Sequence, residues 1–249
     1  MLFNTFKSEF TKLRTTRSFW MTSALMVLLS CMFPAFNAAW ASGPVLDTTV
    51  VAGLQVMGYA LILIQAIMVV TTEYRYNVQM PLYMAQPSRL TVAVVKFVLY
   101  ALIAAFLTMV ALALSIAITK IFYDPQYADI YKPWETEIGR RLMWKLPLGA
   151  VLVVLFGQGL GWIVRQTAGA VSIGLIFLLG IDQLVQLIPK IGPKLIYYSP
   201  FGGLQNWISE RSLPDAPWGE GIAMYGVVFL VWGLVLWGIG VALLVVRDA

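Results

Sequence analysis

A chain of 249 residues in which 60% are hydrophobic and only 12% are charged is too apolar to fold as a water-soluble domain. Its mean hydropathy of +0.80 and net charge of +5 indicate a basic protein that crosses a lipid bilayer several times. The complete lack of histidine excludes imidazole general bases, histidine metal ligands and the Ser-His and Cys-His catalytic pairs.

The chain begins with a basic segment, residues 1–17, whose apolar side chains recur at helical spacing. At about 100° per residue, five apolar residues fall on one stripe: Leu2, Phe3, Phe6, Phe10 and Leu13. Lys12 lies away from that stripe, a pattern typical of an interfacial helix on the inner leaflet whose cations face anionic headgroups. The alternative is a basic flank that only sets topology, but the shared apolar face favours the helix.

Six apolar runs are each long enough for a helix of about 20 residues, the length that crosses a hydrocarbon core of about 30 Å. They cover residues 19–40, 50–71, 92–119, 146–164, 168–188 and 222–246. Lipid permits only helices or closed barrels to span it, and these runs lack the alternating pattern of barrel strands. The sequence therefore predicts an all-α, polytopic membrane protein that forms a single domain over residues 1–249.

The positions of Lys and Arg predict that both termini lie in the cytoplasm. Four basic residues precede the first span, and the loop after that span contains none. The positive-inside rule gives weight to basic residues beside short loops. We therefore expect a multi-pass protein of a bacterial-type plasma membrane. The loop between the second and third spans lies inside in this topology, and two longer loops, 120–145 and 190–221, lie outside.

The loop between the second and third spans, within residues 72–96, is charged and bounded by prolines. Its notable residues are Thr72, Glu73, Tyr74, Arg75, Pro81, Pro87, Ser88 and Arg89. An ordinary cytoplasmic turn with helix-breaking prolines accounts for this composition about as well as a functional loop does.

These residues, together with Lys96, resemble in order and spacing the coupling-helix region of type-2 ATP-binding-cassette (ABC) transporter permeases. The resemblance covers most of the chain, with an amphipathic start, six spans and Tyr198-Ser199-Pro200-Phe201 after the fifth. It implies that the loop sits in a cleft of a separate ATP-binding subunit, flanked by Glu73 and Arg89. At Asn77-Val78 the chain departs from many relatives, which carry Gly-Thr there.

A permease of this kind takes its energy from another subunit. The chain has no G-x-x-x-x-G-K-[ST] P-loop, so the resemblance implies that a partner ATPase binds ATP and Mg and that this chain is not itself an enzyme. It further implies a second permease copy or a related permease, and short extracellular helices before the last span. We expect no catalytic residue, metal or nucleic-acid partner here, and an exported substrate that is hydrophobic or amphiphilic, such as a drug, peptide antibiotic or lipid.

Polar residues inside the apolar runs are candidates to line a substrate pathway: Asn37, Gln55, Gln65 and Asp182. An acid at the bilayer centre costs about 2.5 to 3.5 kcal/mol and often marks a pathway. Asp182 has a second interpretation, in which it lies near the outer interface and marks an earlier end to the fifth helix. An alternative function follows from the first interpretation, namely an ATP-independent secondary transporter or channel with Asp182 as its ion site.

Overall fold

The computed structural model describes residues 2–40, 47–76, 88–124, 131–189 and 192–246, with the side chains of residues 2, 3, 182, 183 and 193 excepted. Every regular element within these ranges is helical, which confirms the predicted all-α class. In chain order the elements are α1 Leu2–Thr15, α2 Arg17–Trp40, α3 Asp47–Val50, a π-helical turn Leu54–Gly58, α4 Tyr59–Arg75, α5 Arg89–Phe122, α6 Glu137–Val164, α7 Thr167–Leu179, α8 Ile181–Gln186, α9 Gly192–Leu195, a 3₁₀ turn Ile196–Tyr198, α10 Pro200–Ser209 and α11 Ile222–Val246.

Five helical stretches of the described ranges are long and apolar enough to cross a membrane. They are Arg17–Trp40, Asp47–Arg75, Arg89–Phe122, Glu137–Val164 and Ile222–Val246. The shortest has 24 residues, about 36 Å of helix at 1.5 Å per residue, which exceeds a hydrocarbon core of about 30 Å. The chain is therefore a helical membrane protein with several spanning helices, as its composition predicted.

The predicted fifth span, residues 168–188, does not form one continuous helix. Helix α7 has 13 residues, about 20 Å of helix, and ends at Gly180, whose φ of −136° and ψ of −22° lie outside the helical range. Helix α8 begins at the next residue. The early end at Leu179 agrees with the second interpretation of Asp182, whose side chain lies outside the described residues.

The long helices meet at two opposite ends of the bundle. At one, here called the cluster end, α1 contacts the end of α4 and the start of α5, and Arg89 donates a hydrogen bond to the Leu244 carbonyl of α11. At the other, the distal end, the Thr136 hydroxyl donates to Asp47 over 2.6 Å. Helix α4 and its π turn run from the distal end to the cluster end, so they connect the two.

Helix α6 forms the centre of the bundle and packs against α4, α5 and α11. Its glycines permit unusually close approach: a Cβ atom on Gly159 would lie 2.6 Å from the backbone nitrogen of Trp237 on α11. On the opposite face, a Cβ atom on Gly157 would lie 3.0 Å from the Cβ of Ala66 on α4. Lipid supplies no hydrophobic driving force between helices, and small residues allow the close packing that joins them there. The glycines of α6 therefore let α4 and α11 pack closely against it.

Candidate functional site

Four charged side chains from three helices form a closed ring at the cluster end, here called the ion cluster. Lys96 on α5 lies 2.5 Å from a carboxylate oxygen of Glu9 on α1 and 2.7 Å from one of Glu73 on α4. Lys12 on α1 lies 2.6 Å from the other oxygen of Glu9 and 3.0 Å from Glu73. Each acid therefore contacts both bases, and the formal charge of the ring is zero.

Three of the four members are removed from solvent. Lys96 is 2% exposed, Glu9 3% and Glu73 6%, whereas the Lys12 side chain is 44% exposed. Burying isolated charges costs several kcal/mol per ion, and the cost is offset only where opposite charges and hydrogen bonds replace water. The alternating ring meets that requirement, since every ammonium group has two carboxylate partners.

The position of each residue along its helix places these four side chains next to one another. Glu9 and Lys12 are three residues apart on α1 and so lie on one face of the helix. Glu73 lies in the last turn of α4. Lys96 lies about two turns into α5, whose N-terminus is capped by Ser88 accepting from the Thr91 amide. Gln158 of α6 donates to the Lys96 carbonyl over 3.2 Å, so the ion cluster rests directly on the central helix.

The electrostatics of α1 favour the charged forms. Burial alone raises the pKa of Glu9, but the charge of Lys96 and hydrogen bonds from Lys12 and Lys96 outweigh it, and the pKa lies below its ordinary value of 4.5. Burial alone lowers the pKa of Lys12, but the charge of Glu73 and the bond to Glu9 raise it above its ordinary value of 10.5. Both residues are therefore ionised at neutral pH.

One oxygen of the ion cluster faces no partner within the described residues. The second carboxylate oxygen of Glu73, Oε2, is buried and accepts no hydrogen bond there. Glu73 also borders a cavity of about 250 Å³ between α1, α2 and α4, whose other polar lining residues include Lys12, Thr16, Thr22, Gln65 and Thr72. Polar groups thus extend from the ion cluster toward the bundle interior.

The residues of the predicted coupling loop lie in several environments. Glu73 joins the ion cluster, whereas Arg89 donates to the Leu244 carbonyl over 2.8 Å, so the acid and the arginine contact different helices. Tyr74 packs edge-on against Trp162, with the Arg165 guanidinium 5.0 Å from its ring centroid. Arg75 is exposed and its guanidinium lies 5.7 Å from the Tyr76 ring centroid. Pro81 and Pro87 lie outside the described residues.

The apolar stripe of the N-terminal segment faces a groove beside two spanning helices. Phe6, Phe10 and Leu13 line this groove of about 530 Å³ together with residues of α2 and α5, and the Phe3 side chain lies outside the described residues. Lys12 turns toward the carboxylates of the ion cluster, where the sequence predicted a contact with headgroups.

Three of the four predicted pathway residues have described side chains, and these three do not converge on one site. Gln65 bonds to the Ser23 hydroxyl over 3.1 Å, to Thr22 and to the Tyr100 hydroxyl, which joins α2, α4 and α5. Asn37 donates to the Phe33 carbonyl of its own helix. Gln55 lies at the distal end beside a separate cavity, and the Asp182 side chain lies outside the described residues.

Sequence reasoning missed two sets of buried pairings. Lys96 with Glu9 and Glu73 is one set, and its signal in the sequence was a lysine inside the predicted third span, where an ionisable residue calls for a partner. The other lies at the distal end: Lys145, 4% exposed, donates to Glu210 and to the Trp207 carbonyl, each over 2.8 Å. Within the described residues no group of three or more acids or cysteines is arranged to hold a metal.

No protein-family model matches this chain, and a search of the curated proteins finds no match. The likeness to type-2 ABC permeases is therefore an expectation from sequence alone.

Proposed function

We propose that the chain is the membrane-spanning permease subunit of an ATP-driven ABC exporter that moves a hydrophobic or amphiphilic substrate outward. A separate ABC ATP-binding subunit would bind ATP and Mg, and a second permease copy or a related permease would complete the pathway. In this proposal the protein lies in a bacterial-type plasma membrane with both termini in the cytoplasm, and it is not an enzyme by itself.

The single observation that carries the proposal is the position of the ion cluster. Glu73 lies at the end of α4, where the chain enters the loop, and Lys96 lies near the start of α5, where the chain leaves it. Their salt bridges join both helices to α1. A force applied to the loop would therefore act on two spanning helices and α1 together.

The end of the loop that leads into α5 contacts α11, and this second contact supports the same proposal. Arg89, the first residue of α5, bonds to the Leu244 carbonyl near the end of α11. Arg165, at the end of α6, bonds to the neighbouring Leu243 carbonyl over 3.1 Å. Movement of the loop relative to α11 would thus pull on the central helix as well as on α4 and α5.

The proposal is tested by purifying the tagged chain from its native membranes in mild detergent. We expect a P-loop polypeptide to copurify and the complex to hydrolyse Mg-ATP. Because Glu73→Gln removes one acid from the ion cluster and should lower stability, export is compared at equal amounts of assembled complex. Per complex, Glu73→Gln and Arg89→Gln should keep the ATPase activity but lower substrate export by roughly five- to tenfold or more, the lower range of ordinary coupling energies. Glu220→Gln and Arg211→Gln, the same changes at exposed distal-end residues, are the matched controls.

Two results would contradict the exporter proposal. One is purified protein that lacks both a P-loop partner and ATP hydrolysis. The other is a pair of variants, Glu73→Gln and Arg89→Gln, that export substrate as well as the two control variants do.

A second candidate function is an ATP-independent secondary transporter or channel with Asp182 as its ion site. The observation that favours it is the break at Gly180, because interrupted helices often frame the ion sites of secondary transporters. The candidate predicts gradient-driven flux into liposomes that contain this chain alone, and loss of that flux in Asp182→Asn. Flux that requires the ATPase and ATP would exclude it.

A further inference from the structure

The groove between α1, α2 and α5 at the cluster end is here called the N-terminal groove. Its volume is about 530 Å³. Its lining is almost entirely apolar and includes Phe10, Trp20, Leu102 and Phe106. These four side chains are between 46% and 65% exposed, so the groove presents large apolar groups to the surroundings of the protein.

The groove begins near the level of the ion cluster and ends about one leaflet deeper. Lys12 of the ion cluster is 44% exposed, and an exposed ammonium group requires water or headgroups, so the ion cluster marks the edge of the hydrocarbon layer. On α5 the groove extends to Leu107, eleven residues beyond Lys96, which is about 16 Å of helix. Half of a hydrocarbon core of about 30 Å is about 15 Å. The groove therefore matches the depth that an acyl chain of one leaflet occupies.

The rim of the groove carries positive charge. Arg14 is the one charged residue in the described lining, and Lys7, seven residues earlier, lies on the same side of α1. Neither forms an ion pair with a described residue, and Glu9, the acid of α1, is held in the ion cluster. Because a guanidinium group binds phosphate oxygens through two parallel hydrogen bonds, the rim suits a phosphate group.

The end of α1 is fixed against the start of α2 at this rim. The Trp20 indole nitrogen donates to the Arg14 carbonyl over 2.8 Å, and the Phe19 and Trp20 rings pack edge to face with their centroids 5.8 Å apart. Tryptophan is enriched at the membrane interface, where its amphipathic ring lies at the level of the headgroups. A cation and an apolar surface are thus held side by side, as a lipid with a charged head and an apolar tail requires.

A second copy of the chain fits the groove less well than a lipid does. Most dimers are isologous, so the same surface of each copy would face its partner. That contact would bring Arg14 and Lys7 of one copy toward the same cations of the other, and like charges repel each other. A water-soluble partner would not reach the part of the groove that lies in the hydrocarbon layer.

We propose that the N-terminal groove binds one anionic phospholipid, whose phosphate lies on the Arg14 guanidinium and whose acyl chain lies along α2 and α5. The partner is a lipid of the leaflet at the cluster end, selected by its negative headgroup. Basic pockets between membrane helices bind anionic headgroups in this way. The proposal does not depend on the exporter function, because neither ATP nor an ATPase takes part in the binding.

Native mass spectrometry of the purified chain in detergent measures the binding of single lipids. The probes are phosphatidylglycerol, which is anionic, and phosphatidylcholine with the same acyl chains, which is zwitterionic. We expect one phosphatidylglycerol per chain to bind about fivefold more tightly than phosphatidylcholine, the effect of one cation near an anionic headgroup. Equal binding of the two lipids would overturn the proposal.

Arg14→Gln tests the headgroup contact. It should lower the affinity for phosphatidylglycerol by about fivefold and leave that for phosphatidylcholine unchanged, whereas Arg14→Lys should keep most of the preference. Arg75→Gln removes an exposed cation of the same end that is outside the described lining, and it should have no effect. Since Arg14 is exposed, its variants should fold as the natural chain does. Equal effects of Arg14→Gln and Arg75→Gln would mean that overall charge, not this groove, selects the lipid.

Leu102→Trp tests the acyl-chain contact by filling the groove. Exclusion of two CH₂ groups from the apolar lining predicts about tenfold weaker binding of both lipids. Leu114→Trp is the same change at an exposed residue of α5 outside the described lining, and it should bind lipid as the natural chain does. Undiminished binding in Leu102→Trp, or equal losses in the two variants, would contradict an acyl chain in the groove.

Two further results distinguish a phospholipid from other occupants. Glycerol phosphate has the phosphate of the headgroup but no acyl chain, and at equal concentration it should not displace phosphatidylglycerol. Leu102→Cys in a Cys31→Ser background should form no disulfide between copies under oxidising conditions. Displacement by glycerol phosphate would show that the site binds phosphate alone, and such a disulfide would show that a second copy covers the groove; either result refutes the proposal.

Discussion

Lys96 carries its charge on a side chain that is 2% exposed, and Glu9 and Glu73 are the groups that make this tolerable. Removal of one partner from a buried ion pair typically costs about 3 to 5 kcal/mol, because the remaining charge stays buried without compensation. We expect the net charge left in the ion cluster to matter more for stability than the number of bonds lost. This distinction can be measured with paired substitutions.

Lys96→Met should destabilise the protein by about 3 to 5 kcal/mol, since it leaves two buried carboxylates with Lys12 alone. The double variant Lys96→Met with Glu9→Gln leaves one acid and one base, Glu73 and Lys12, and should recover much of that loss. The measurement is the unfolding free energy in mixed micelles. If the double variant were less stable than the single one, charge balance would not be what holds the ion cluster together.

The lowered pKa of Glu9 predicts how stability depends on pH. Because the folded-state pKa lies below the ordinary value of 4.5, the unfolded chain binds more protons between the two values, and stability rises with pH there. The contribution of Glu9 is thus complete above about pH 5 and is lost as the pH falls through the folded-state pKa. Melting temperatures in detergent should fall more steeply below pH 4.5 for the natural chain than for Glu9→Gln, and parallel curves would contradict this.

At the scale of helices, the packing of α6 depends on glycines. Sequence periodicity does not show which glycines lie in close contact with a neighbouring helix. A Cβ atom on Gly159 would meet backbone atoms of Leu236 and Trp237 within 2.7 Å, whereas one on Gly238 of α11 would meet nothing within 4 Å. Backbone atoms cannot move aside as a flexible side chain can. The two glycines therefore form a matched pair that distinguishes close packing from the general effect of a helix glycine.

Gly159→Ala should lower stability by about 1 to 3 kcal/mol, the usual cost of forcing an extra group into a packed core. Gly238→Ala should leave stability unchanged or raise it by up to about 1 kcal/mol, since alanine favours a helix more than glycine does. Thermal unfolding of the two purified variants side by side provides the comparison. An equal response of both variants would mean that α6 and α11 are not in tight contact.

At the scale of the whole molecule, the bundle has a cluster end and a distal end. We expect these two ends to face opposite sides of the membrane. Large apolar side chains on α2, α5 and α11 are exposed along their lengths, among them Trp20, Leu102, Phe106 and Leu234. Such surfaces suit lipid or another membrane subunit. The proposed topology places the cluster end in the cytoplasm and the distal end outside.

Ser8→Cys and Ser212→Cys, each in a Cys31→Ser background, test this topology at exposed positions of opposite ends. A membrane-impermeant maleimide should label the Ser212→Cys variant in intact cells, and the Ser8→Cys variant only after the membrane is permeabilised. The reverse pattern would place the N-terminus outside, and it would remove the predicted coupling loop from the reach of a cytoplasmic ATPase.

The individual parts of the candidate site were visible in the sequence, but their partners were not. Glu73 and Arg89 stood out because they flank a proline-bounded loop, and Lys12 because it lies on a basic amphipathic segment. The bond between Lys96 and Glu9 joins residues 87 positions apart, and no local pattern specifies that α1 folds back onto α5. The amide nitrogen of Gln55, which is buried without a hydrogen-bond partner among the described residues, was likewise invisible, because periodicity shows that a glutamine lies in a helix but not what surrounds it.

Helix content, a helix over the N-terminal segment and five of the six predicted spans follow from the sequence by itself, because length, hydropathy and helical periodicity are local properties that lipid enforces strongly. The tertiary structure decided which helices are neighbours, and with that the ion cluster, and it decided between the two interpretations of the fifth apolar run, whose helix ends at Leu179. The physical reason is that hydropathy records only the preference of each residue for lipid. Pairing of buried charges and the close contact of glycines depend on the relative positions of helices, to which residues far apart in the chain contribute.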